Sequence, residues 1–411
     1  MKTIYYPTKC WKKESPEKHN INVEIVNTLN NMIEEDFSHL TSVLIVKNGS
    51  IIYEKYLNGC SQNTLHETGC VFKSFLSAVV GTALQDNLIK NVETKVVDFF
   101  LDDIPENIDK NFNKITLKHL LTKTSGIKWP PKNYRFPENK RFNDIRLPFL
   151  LTVKNEPGNI FEYKPDPHIL FYVIEKLSGI DFVSYADKKL FSPLGIKDYL
   201  WNTNFHEDEC LLMKTRDIAK LGYLYLNNGL WVNHQLISSE YIQESTREHV
   251  YGNFPESSPY GYLWWVNDIE KHKTFYAGGF GGQYLYVIPD LQLIFVSTSN
   301  VDKPHQENKL LVKEFMKMIK ANGDKPNIRN RDRKNLVELT KEEKNKLINE
   351  IQTFFLQERN EEIGIIAAGT VLEFFLENLG AFIYNKSLDE AKIWFCRRIE
   401  DMEIDYDTLY K

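Results

Sequence analysis

The stretch of sequence that decides the fold is TGCVFKSFLSAVVGTALQDNLI, residues 68–89. Within it, apolar side chains recur about two per helical turn, at Phe75, Leu76, Val79, Val80, Ala83 and Leu84. Such a broad apolar stripe is typical of a helix that is buried along most of its length. The pattern therefore predicts a core helix that begins near residue 70.

Two chemically active side chains, Cys70 and Lys73, open this helix. Residues three apart share a helix face, so the sulfur and the amino group can meet. The helix N-terminus adds partial positive charge, which favours a thiolate over a thiol whose unperturbed pKa is about 8.5. This is the environment of an activated nucleophile. Taken alone, the same residues are also typical of a small buried cysteine beside a solvated lysine.

Two β-hairpins are predicted on either side of the helical part of the chain. The first joins residues 42–46 to 51–53 through Asn48-Gly49, a pair that readily adopts the positive φ angles of a tight turn. The second joins residues 284–288 to 291–296 through the turn pair Pro289-Asp290. Both pairs of strands are rich in β-branched and aromatic residues.

Helical patterns fill much of the chain between the hairpins. They are predicted at about 168–178, 182–191 and 215–227, and a closing helix at 305–321. Residues 129–167 are rich in proline, asparagine and charge, which predicts rigid loops of the kind that wall a cleft. We therefore expect one antiparallel sheet assembled from both ends of a domain spanning residues 1–323, with an inserted helical region.

The composition excludes several classes of protein. The 411 residues are 42% hydrophobic and 26% charged, as in a globular protein that is neither disordered nor fibrous. A formal net charge of −5 gives no electrostatic reason to expect nucleic acid or an anionic membrane as partner. No stretch approaches the roughly 18 apolar residues of a membrane span, and the first twenty residues lack the apolar core of a secretion signal.

The cysteines point to a reducing environment. They are five in number and scattered, at Cys10, Cys60, Cys70, Cys210 and Cys396. This arrangement matches neither a disulfide framework nor a metal knuckle. We therefore expect a cytoplasmic protein.

Further motifs lie along the chain in a definite order. They are residues 116–126 (TLKHLLTKTSG), 157–163 (PGNIFEY), 216–222 (RDIAKLG) and 279–283 (GFGGQ). Together with the stretch at 68–89, they resemble the serine beta-lactamase-like family over roughly residues 11–320. That family includes penicillin-recognising enzymes, many esterases and the aminohexanoate-dimer hydrolases, and its signature is Ser-x-x-Lys opening a long buried helix.

The resemblance implies an α/β (α+β) fold, with an antiparallel sheet flanked by helices, and a hydrolase that uses no metal or organic cofactor. It also implies catalytic roles. Cys70 would attack an acyl carbonyl, and Lys73 would take or relay the proton. Tyr163 would share that proton and pass it to the leaving group. The expected substrate is a small ester or amide.

The glycine-rich segment at 279–283 would supply the rest of the site. By resemblance, the backbone N–H groups of Cys70 and Gly282 would form the oxyanion hole. Gly279 and Gly281 would bind substrate, since residues without a side chain let the backbone approach it closely. A Gly-x-Gly pair also occurs in dinucleotide loops, but this one precedes a strand and not a helix, which excludes that interpretation.

The sequence departs from the family pattern at three positions. Cys70 stands in place of the nucleophilic serine. The second motif, Tyr163-Lys164-Pro165, has a proline in place of a polar side chain. Gly279 stands where the third motif has a cation. Hydrolysis of true beta-lactams is therefore not expected.

The cysteine leaves three interpretations open. A thiol ionises more easily than a hydroxyl, but a scaffold shaped around oxygen can hold the larger sulfur in a poor geometry. The chain is then a working cysteine hydrolase, an impaired enzyme that still binds its ligand as a binding or scaffold module, or a protein in which the substitution was introduced to trap an acyl-enzyme.

Two other groups of residues are weaker functional candidates. The histidines at 66, 119, 168, 234 and 272 show no metal-ligand spacing, and we expect them to belong to the framework. The aromatic run at 260–265, YGYLWW, is typical of a core strand, although it could also line a pocket.

The end of the chain reads as a separate unit. Residues 324–337 are charged and polar and are predicted to be a linker. In residues 338–411, Thr340 and Glu343 form a capping box, and apolar stripes predict three helices, the second ending at Gly380 and the third starting near Ser387. This unit resembles a small all-helical family of unknown function, for which we expect a docking role, either onto the first domain or in self-association.

Overall fold

The computed structural model describes residues 5–101, 108–128, 152–202, 210–253, 255–300, 308–324, 340–359 and 361–375. The chain separates into two compact units, Met1–Asn322 and Gly323–Lys411. Among the described residues, no helix combines the length and apolar character needed to cross a membrane.

The strands of the first unit are numbered in chain order. They are β1 (Lys12–Lys13), β2 (Leu40–Lys47), β3 (Ser50–Tyr56), β4 (His66–Glu67), β5 (Tyr199–Asn202), β6 (Cys210–Met213), β7 (Leu230–Trp231), β8 (His234–Gln235), β9 (Val250–Gly252), β10 (Ser258–Tyr260), β11 (Trp265–Ile269), β12 (His272–Gly279), β13 (Gln283–Ile288) and β14 (Leu293–Ser299).

The helices are numbered in the same way through both units. They are α1 (Val23–Glu35), α2 (Phe72–Gln85), α3 (Leu117–Leu121), α4 (Ile169–Ser178), α5 (Phe182–Ala186), α6 (Ser192–Leu194), α7 (Thr215–Leu226), α8 (Ser239–Ser245), α9 (Asn308–Asp324), α10 (Lys341–Arg359) and α11 (Ile365–Phe375).

One large sheet organises the first unit. Within the described residues its strand order is β1-β3-β2-β14-β13-β12-β11-β10-β9. All neighbours pair antiparallel except β1 and β3. Because β2 from the early hairpin pairs with β14 from the late one, the sheet is assembled from both ends of the unit, as the sequence predicted.

Both predicted hairpins are confirmed. Asn48 and Gly49 join β2 to β3 with φ angles of +50° and +79°, the positive values that a tight hairpin turn requires. Pro289 opens a short 3-10 turn between β13 and β14, and the second strand begins at Leu293. In the first hairpin, sequence-local turn chemistry therefore fixes the strand connection.

The central helix α2 is confirmed as a core element. Every residue from Phe72 to Ala83 is buried. The helix is preceded by a 3-10 turn, Gly69–Val71, so Cys70 lies just before the α-helix and Lys73 in its first turn. The predicted helices in the middle of the chain correspond to α4, α5 with the π-helical turn after it, and α7.

The aromatic run at 260–265 differs from the single strand that was predicted. Tyr260 ends β10 and Trp265 begins β11, and the residues between them turn the chain. All six residues are nonetheless buried. The aromatic content predicted burial correctly, but Leu263 adopts a φ of +60°, a reversal that a run of large apolar residues does not reveal.

Two helices of the second unit are described. Thr340 and Glu343 form the expected capping box, with the Glu343 N–H donating to Thr340 Oγ1 at 3.3 Å and the Thr340 N–H to Glu343 Oε2 at 2.8 Å. A small core of Ile348, Ala368 and Leu372 lies between α10 and α11. Of the linker predicted at 324–337, Asp324 ends helix α9. The rest of that linker, the helix end at Gly380 and the third helix from Ser387 lie outside the described residues.

Candidate active site

Cys70 is held by a tight turn between strand β4 and helix α2. Gly69, just before it, has a φ of +51°, which a residue with a side chain rarely adopts. A Cβ at Gly69 would also lie 3.1 Å from the Phe280 backbone nitrogen. The chain therefore needs glycine at this position to bring Cys70 against the end of β12.

Lys73 lies beside the Cys70 sulfur. Its Nζ donates a hydrogen bond to Cys70 Sγ at 3.1 Å, and the residue is 7% exposed. The same nitrogen lies 4.3 Å from the centre of the Phe72 ring. The (i, i+3) contact predicted from the sequence is therefore present in the structure.

Tyr163 completes a three-residue cluster with Cys70 and Lys73. Its side chain hydrogen-bonds with Cys70, and its ring centre lies 5.5 Å from Lys73 Nζ. The ring stacks on Trp265, with centroids 5.7 Å apart and planes 19° apart, and meets Tyr260 edge-on. Aromatic packing therefore holds the Tyr163 ring in one orientation beside the sulfur.

The electrostatic environment of Cys70 favours the thiolate. Burial by itself raises the pKa of the thiol, but the charge and hydrogen bond of Lys73 oppose this effect, as do the hydrogen bond from Tyr163 and the charge of Lys123. The net result is a thiol pKa below its usual value. The positive groups around the sulfur thus outweigh the cost of desolvating it.

Tyr163 is held in its neutral form. Burial, followed by the negative charge that Cys70 carries as a thiolate, raises the pKa of Tyr163 well above its usual value. A neutral phenol can donate its proton to the thiolate. The cluster therefore combines a nucleophile that ionises readily with two groups able to donate protons to it.

Gly279 allows β12 to approach the Cys70 turn. A Cβ on Gly279 would lie 2.5 Å from the Thr68 carbonyl oxygen and 2.9 Å from the Cys70 nitrogen. No side chain fits in that space without movement of the backbone. The absence of a cation at this position therefore follows from how closely the two segments pack.

The turn after Gly279 engages the Gly282 N–H. The Gly282 N–H donates to the Gly279 carbonyl oxygen at 3.2 Å, closing the turn. Gly281, with a φ of +80°, occupies the position of that turn that favours glycine, and its carbonyl accepts a hydrogen bond from Ser299 Oγ. The N–H that was predicted at Gly282 is thus engaged within the turn, and the backbone nitrogen beside the Cys70 turn is that of Phe280.

A second buried lysine, which the motifs did not predict as a site residue, borders the site. Lys123 Nζ lies 4.9 Å from the centre of the Tyr163 ring and 3.7 Å from Asp166 Oδ1. Ser125 Oγ donates to Asp166 Oδ2 at 2.6 Å. Burial raises the pKa of Asp166 to about 6, against the lowering effect of Lys123. The available signal was a lysine among small residues, Thr122, Thr124 and Ser125, directly after the apolar pair at 120–121.

The histidines contribute to the framework. The Thr116 N–H donates to His119 Nδ1 at 3.2 Å in the cap of α3, and His272 pairs with Asp290. His66 is buried beside Thr298, and burial lowers the pKa of His66 to about 4. Within the described parts of the chain, no cluster of His, Cys, Asp and Glu could hold a metal ion.

The comparisons with known proteins agree with this geometry. A family model described as Beta-lactamase matches residues 37–313. The chain belongs to the beta-lactamase family. This family member is 24% identical over 289 residues to an uncharacterized protein of Alkalihalophilus pseudofirmus. The matched region covers 63% of this chain and 83% of the Alkalihalophilus protein.

Two further similarities concern proteins with named activities. The family member is 31% identical over 113 residues to lovastatin esterase of Penicillium rubens, covering 25% of this chain and 28% of the esterase. Its fold is similar to that of the "Putative 6-aminohexanoate-dimer hydrolase from Bacillus anthracis", with a TM-score of 0.60, 21% identity, and coverage of 72% of this chain and 83% of that one. A second family model, described as an uncharacterized conserved protein (DUF2164), matches residues 337–410.

Proposed function

We propose that this beta-lactamase family member is a hydrolase that cleaves a small ester or amide through a covalent acyl-enzyme on Cys70. The observation that carries the proposal is the hydrogen bond from Lys73 Nζ to Cys70 Sγ at 3.1 Å, together with the hydrogen bond between Tyr163 and the same sulfur. These two proton donors lie against one sulfur, in a site that lowers the thiol pKa. A cysteine nucleophile needs such a site, because the thiolate is the reactive form.

The first half of the reaction forms a thioester. The Cys70 thiolate attacks the acyl carbonyl carbon and gives a tetrahedral adduct whose oxygen carries the negative charge. When the adduct collapses, the bond to the leaving group breaks, and the leaving group takes the proton of Tyr163, which is resupplied from Lys73. The acyl group is then bound to sulfur, and the alcohol or amine departs.

The second half returns the enzyme to its starting state. A water oxygen attacks the thioester carbonyl and gives up a proton to the pair formed by Tyr163 and Lys73. Collapse of this adduct breaks the C–S bond and restores the thiolate. One ester or amide bond and one water molecule are consumed, and a carboxylic acid and the alcohol or amine are produced.

The oxyanion is stabilised by backbone N–H groups. Cys70 supplies one donor, and we assign the second to Phe280, because the Gly282 N–H is donated within the turn and the Phe280 nitrogen lies against the Cys70 segment. Each such donor is worth about 2.7–4 kcal/mol in related chemistry. Gly279 and Gly281 serve this arrangement by keeping the segment free of side chains.

The substrate is expected to carry no carboxylate near the scissile bond. Among the described residues that border the sulfur, the cationic groups already have partners: Lys73 bonds Cys70, and Lys123 pairs with Asp166. Pro165, the last residue of the second motif, has no polar side chain. A neutral acyl compound suits this site better than a beta-lactam. The names of the similar proteins, an esterase and an amide-dimer hydrolase, support testing both kinds of bond.

The test is turnover of short-chain nitrophenyl esters and of the matching nitroanilides. We expect Cys70→Ala to abolish hydrolysis and Lys73→Met to reduce it strongly. Cys60→Ala, which alters another free cysteine of the first unit, should keep the wild-type rate. Full activity in Cys70→Ala would overturn the proposal.

A second candidate is a ligand-binding module that has lost turnover. The observation that favours it is Pro165, which removes the polar side chain that the family uses beside its lysine. In that case Cys70 would be acylated by an activated ester, but the thioester would persist. If the Cys70→Ser variant then turned over the ester, the defect of the wild type would be due to the sulfur.

A further inference from the structure

A buried ion pair lies beside Tyr163 of the proposed site. The side chains of Lys123 and Asp166 are 0% and 3% exposed, and Lys123 Nζ lies 3.7 Å from Asp166 Oδ1. Burying two charges is costly, and replacing such a pair by apolar groups is often neutral or stabilising. Fold stability alone therefore gives little reason for the pair, and its position beside Tyr163 calls for an explanation in terms of the site.

Lys123 ties two segments of the site together. Its ammonium donates to the Lys164 carbonyl oxygen, and its own carbonyl accepts from the Glu162 N–H at 2.9 Å. Tyr163 lies between these two contacts. Lys123 thus binds the loop that carries Tyr163 on either side of the tyrosine.

The Lys123 backbone adopts an unusual conformation. Its φ is +60°, in the left-handed region that a residue with a long side chain seldom occupies. Backbone strain of this kind is found at sites where the surrounding structure requires a particular side-chain direction. Here the strained residue is the one whose ammonium faces the Tyr163 ring at 4.9 Å.

Two positive charges lie close to the Tyr163 ring. The Tyr163 ring lies within reach of two ammonium groups, Lys73 at 5.5 Å and Lys123 at 4.9 Å from its centre. Asp166 is the counter-ion of Lys123, and Ser125 hydrogen-bonds the same carboxylate. The positive charge that reaches Cys70 from Lys123 is therefore set by how fully Asp166 neutralises it.

We propose that Lys123 is a positioning residue of the site: its buried ammonium fixes the Tyr163 loop and supplies a second positive charge to the Cys70 thiolate, and Asp166 moderates that charge. The inference deepens the proposed function and rests on it for the role of Cys70. Residues 123 and 166 thereby tune the charge around the sulfur and fix the tyrosine loop. The motif residues at 70, 73 and 163 do not perform this role.

The test is the pH dependence of iodoacetamide alkylation of Cys70 in the full-length protein, followed by peptide mass spectrometry so that the other cysteines do not contribute. The titratable and charged groups that face the sulfur are Lys73, Tyr163, Tyr260 and Lys123. Those that face the Asp166 carboxylate are Lys123, Lys164 and Tyr260. The variants therefore change one of these groups at a time.

The two partners should act in opposite directions. Lys123→Met should raise the apparent thiol pKa, and each unit of increase slows alkylation below that pKa by about tenfold. Lys123→Arg should restore the wild-type profile in large part. Asp166→Asn should lower the apparent pKa, because the Lys123 charge is then no longer neutralised. Lys118→Met, in the same segment but paired with Glu93 at the surface, should leave the profile unchanged.

A purely structural role would not produce this reversal of sign. If Lys123→Met and Asp166→Asn both raise the thiol pKa, or neither moves it, the inference is wrong. Should Lys123→Met fail to fold, the double variant Lys123→Met/Asp166→Asn removes both charges, and its thiol pKa must exceed that of Asp166→Asn alone. An unreactive Cys70 in the wild type would overturn the proposed function as well, whereas a reactive Cys70 that is insensitive to Lys123 would overturn this inference alone.

Discussion

Gly279→Ala adds a single methyl group at the closest approach between β12 and the Cys70 turn. The new Cβ would lie 2.5 Å from the Thr68 carbonyl oxygen and 2.9 Å from the Cys70 nitrogen. Real Cβ contacts are essentially never shorter than 3.0 Å, so the two segments must separate by at least about 0.5 Å. Both obstructing atoms belong to the backbone, so no side-chain rotation can relieve the contact.

The expected consequences follow from that separation. Overpacking of this kind costs about 1–3 kcal/mol of unfolding free energy. A misplacement of about 1 Å at a reacting centre can cost about 100-fold in rate, so we expect kcat/KM on a nitrophenyl ester to fall by roughly 10- to 100-fold. Urea unfolding and steady-state kinetics measure the two effects separately.

Gly278→Ala is the matched control for this change. It adds the same methyl group to the neighbouring residue of β12, where the nearest atom, at 3.1 Å, belongs to the Tyr284 side chain and not to backbone. Its effect on kcat/KM should be far smaller. If Gly279→Ala keeps the wild-type kcat/KM and the wild-type alkylation rate of Cys70, the close approach of Gly279 to the Cys70 turn does not contribute to catalysis.

Three further predictions concern charge and backbone conformation. Lys73→Met should raise the pKa of Cys70 and slow its alkylation at pH 7 by about tenfold per unit of pKa, and an unchanged alkylation profile would contradict the role of Lys73. Because burial raises the pKa of Asp166 from 3.8 to about 6, the folded protein binds this proton more readily than the unfolded chain. The contribution of Asp166 to the unfolding free energy should therefore fall by up to about 2–3 kcal/mol as pH rises from 4 to 6. Urea titrations at the two pH values should show this change as the difference between the wild type and Asp166→Asn, and an equal pH dependence of the two proteins would contradict it. Gly49→Ala, at a φ of +79° and with its Cβ 2.5 Å from Tyr223 Oη, should destabilise the protein by about 1–3 kcal/mol with an unchanged urea m-value, and an equally stable variant would contradict the turn geometry.

The fold was predictable because its determinants are local in sequence. Asn48-Gly49 specifies a tight turn by its own φ preferences, and the apolar stripe of α2 specifies its burial. The contact between Cys70 and Lys73 was predictable for the same reason, since residues three apart at a helix start share a face. None of these inferences required knowledge of which distant residues meet.

The parts that were not predicted depend on contacts between distant segments or on backbone detail. Lys123 and Asp166 are 43 residues apart, and a lysine in sequence is usually a solvated charge, so neither was selected. The direction of the Gly282 N–H depends on how the turn after Gly279 closes, which the motif does not specify. Leu263 reverses the chain within a run of large apolar residues that, by composition alone, predicted a single strand.

The central claim is that Cys70 carries the acyl group, and trapping that group tests it most directly. The protein would be mixed with a nitrophenyl ester, quenched in acid during the first turnovers, digested and analysed by mass spectrometry. The account predicts one acyl group on the peptide that contains Cys70, removed by hydroxylamine and absent in Cys70→Ala. Release of nitrophenol by the wild type with the acyl group on another residue, or with no covalent adduct at any time, would contradict it.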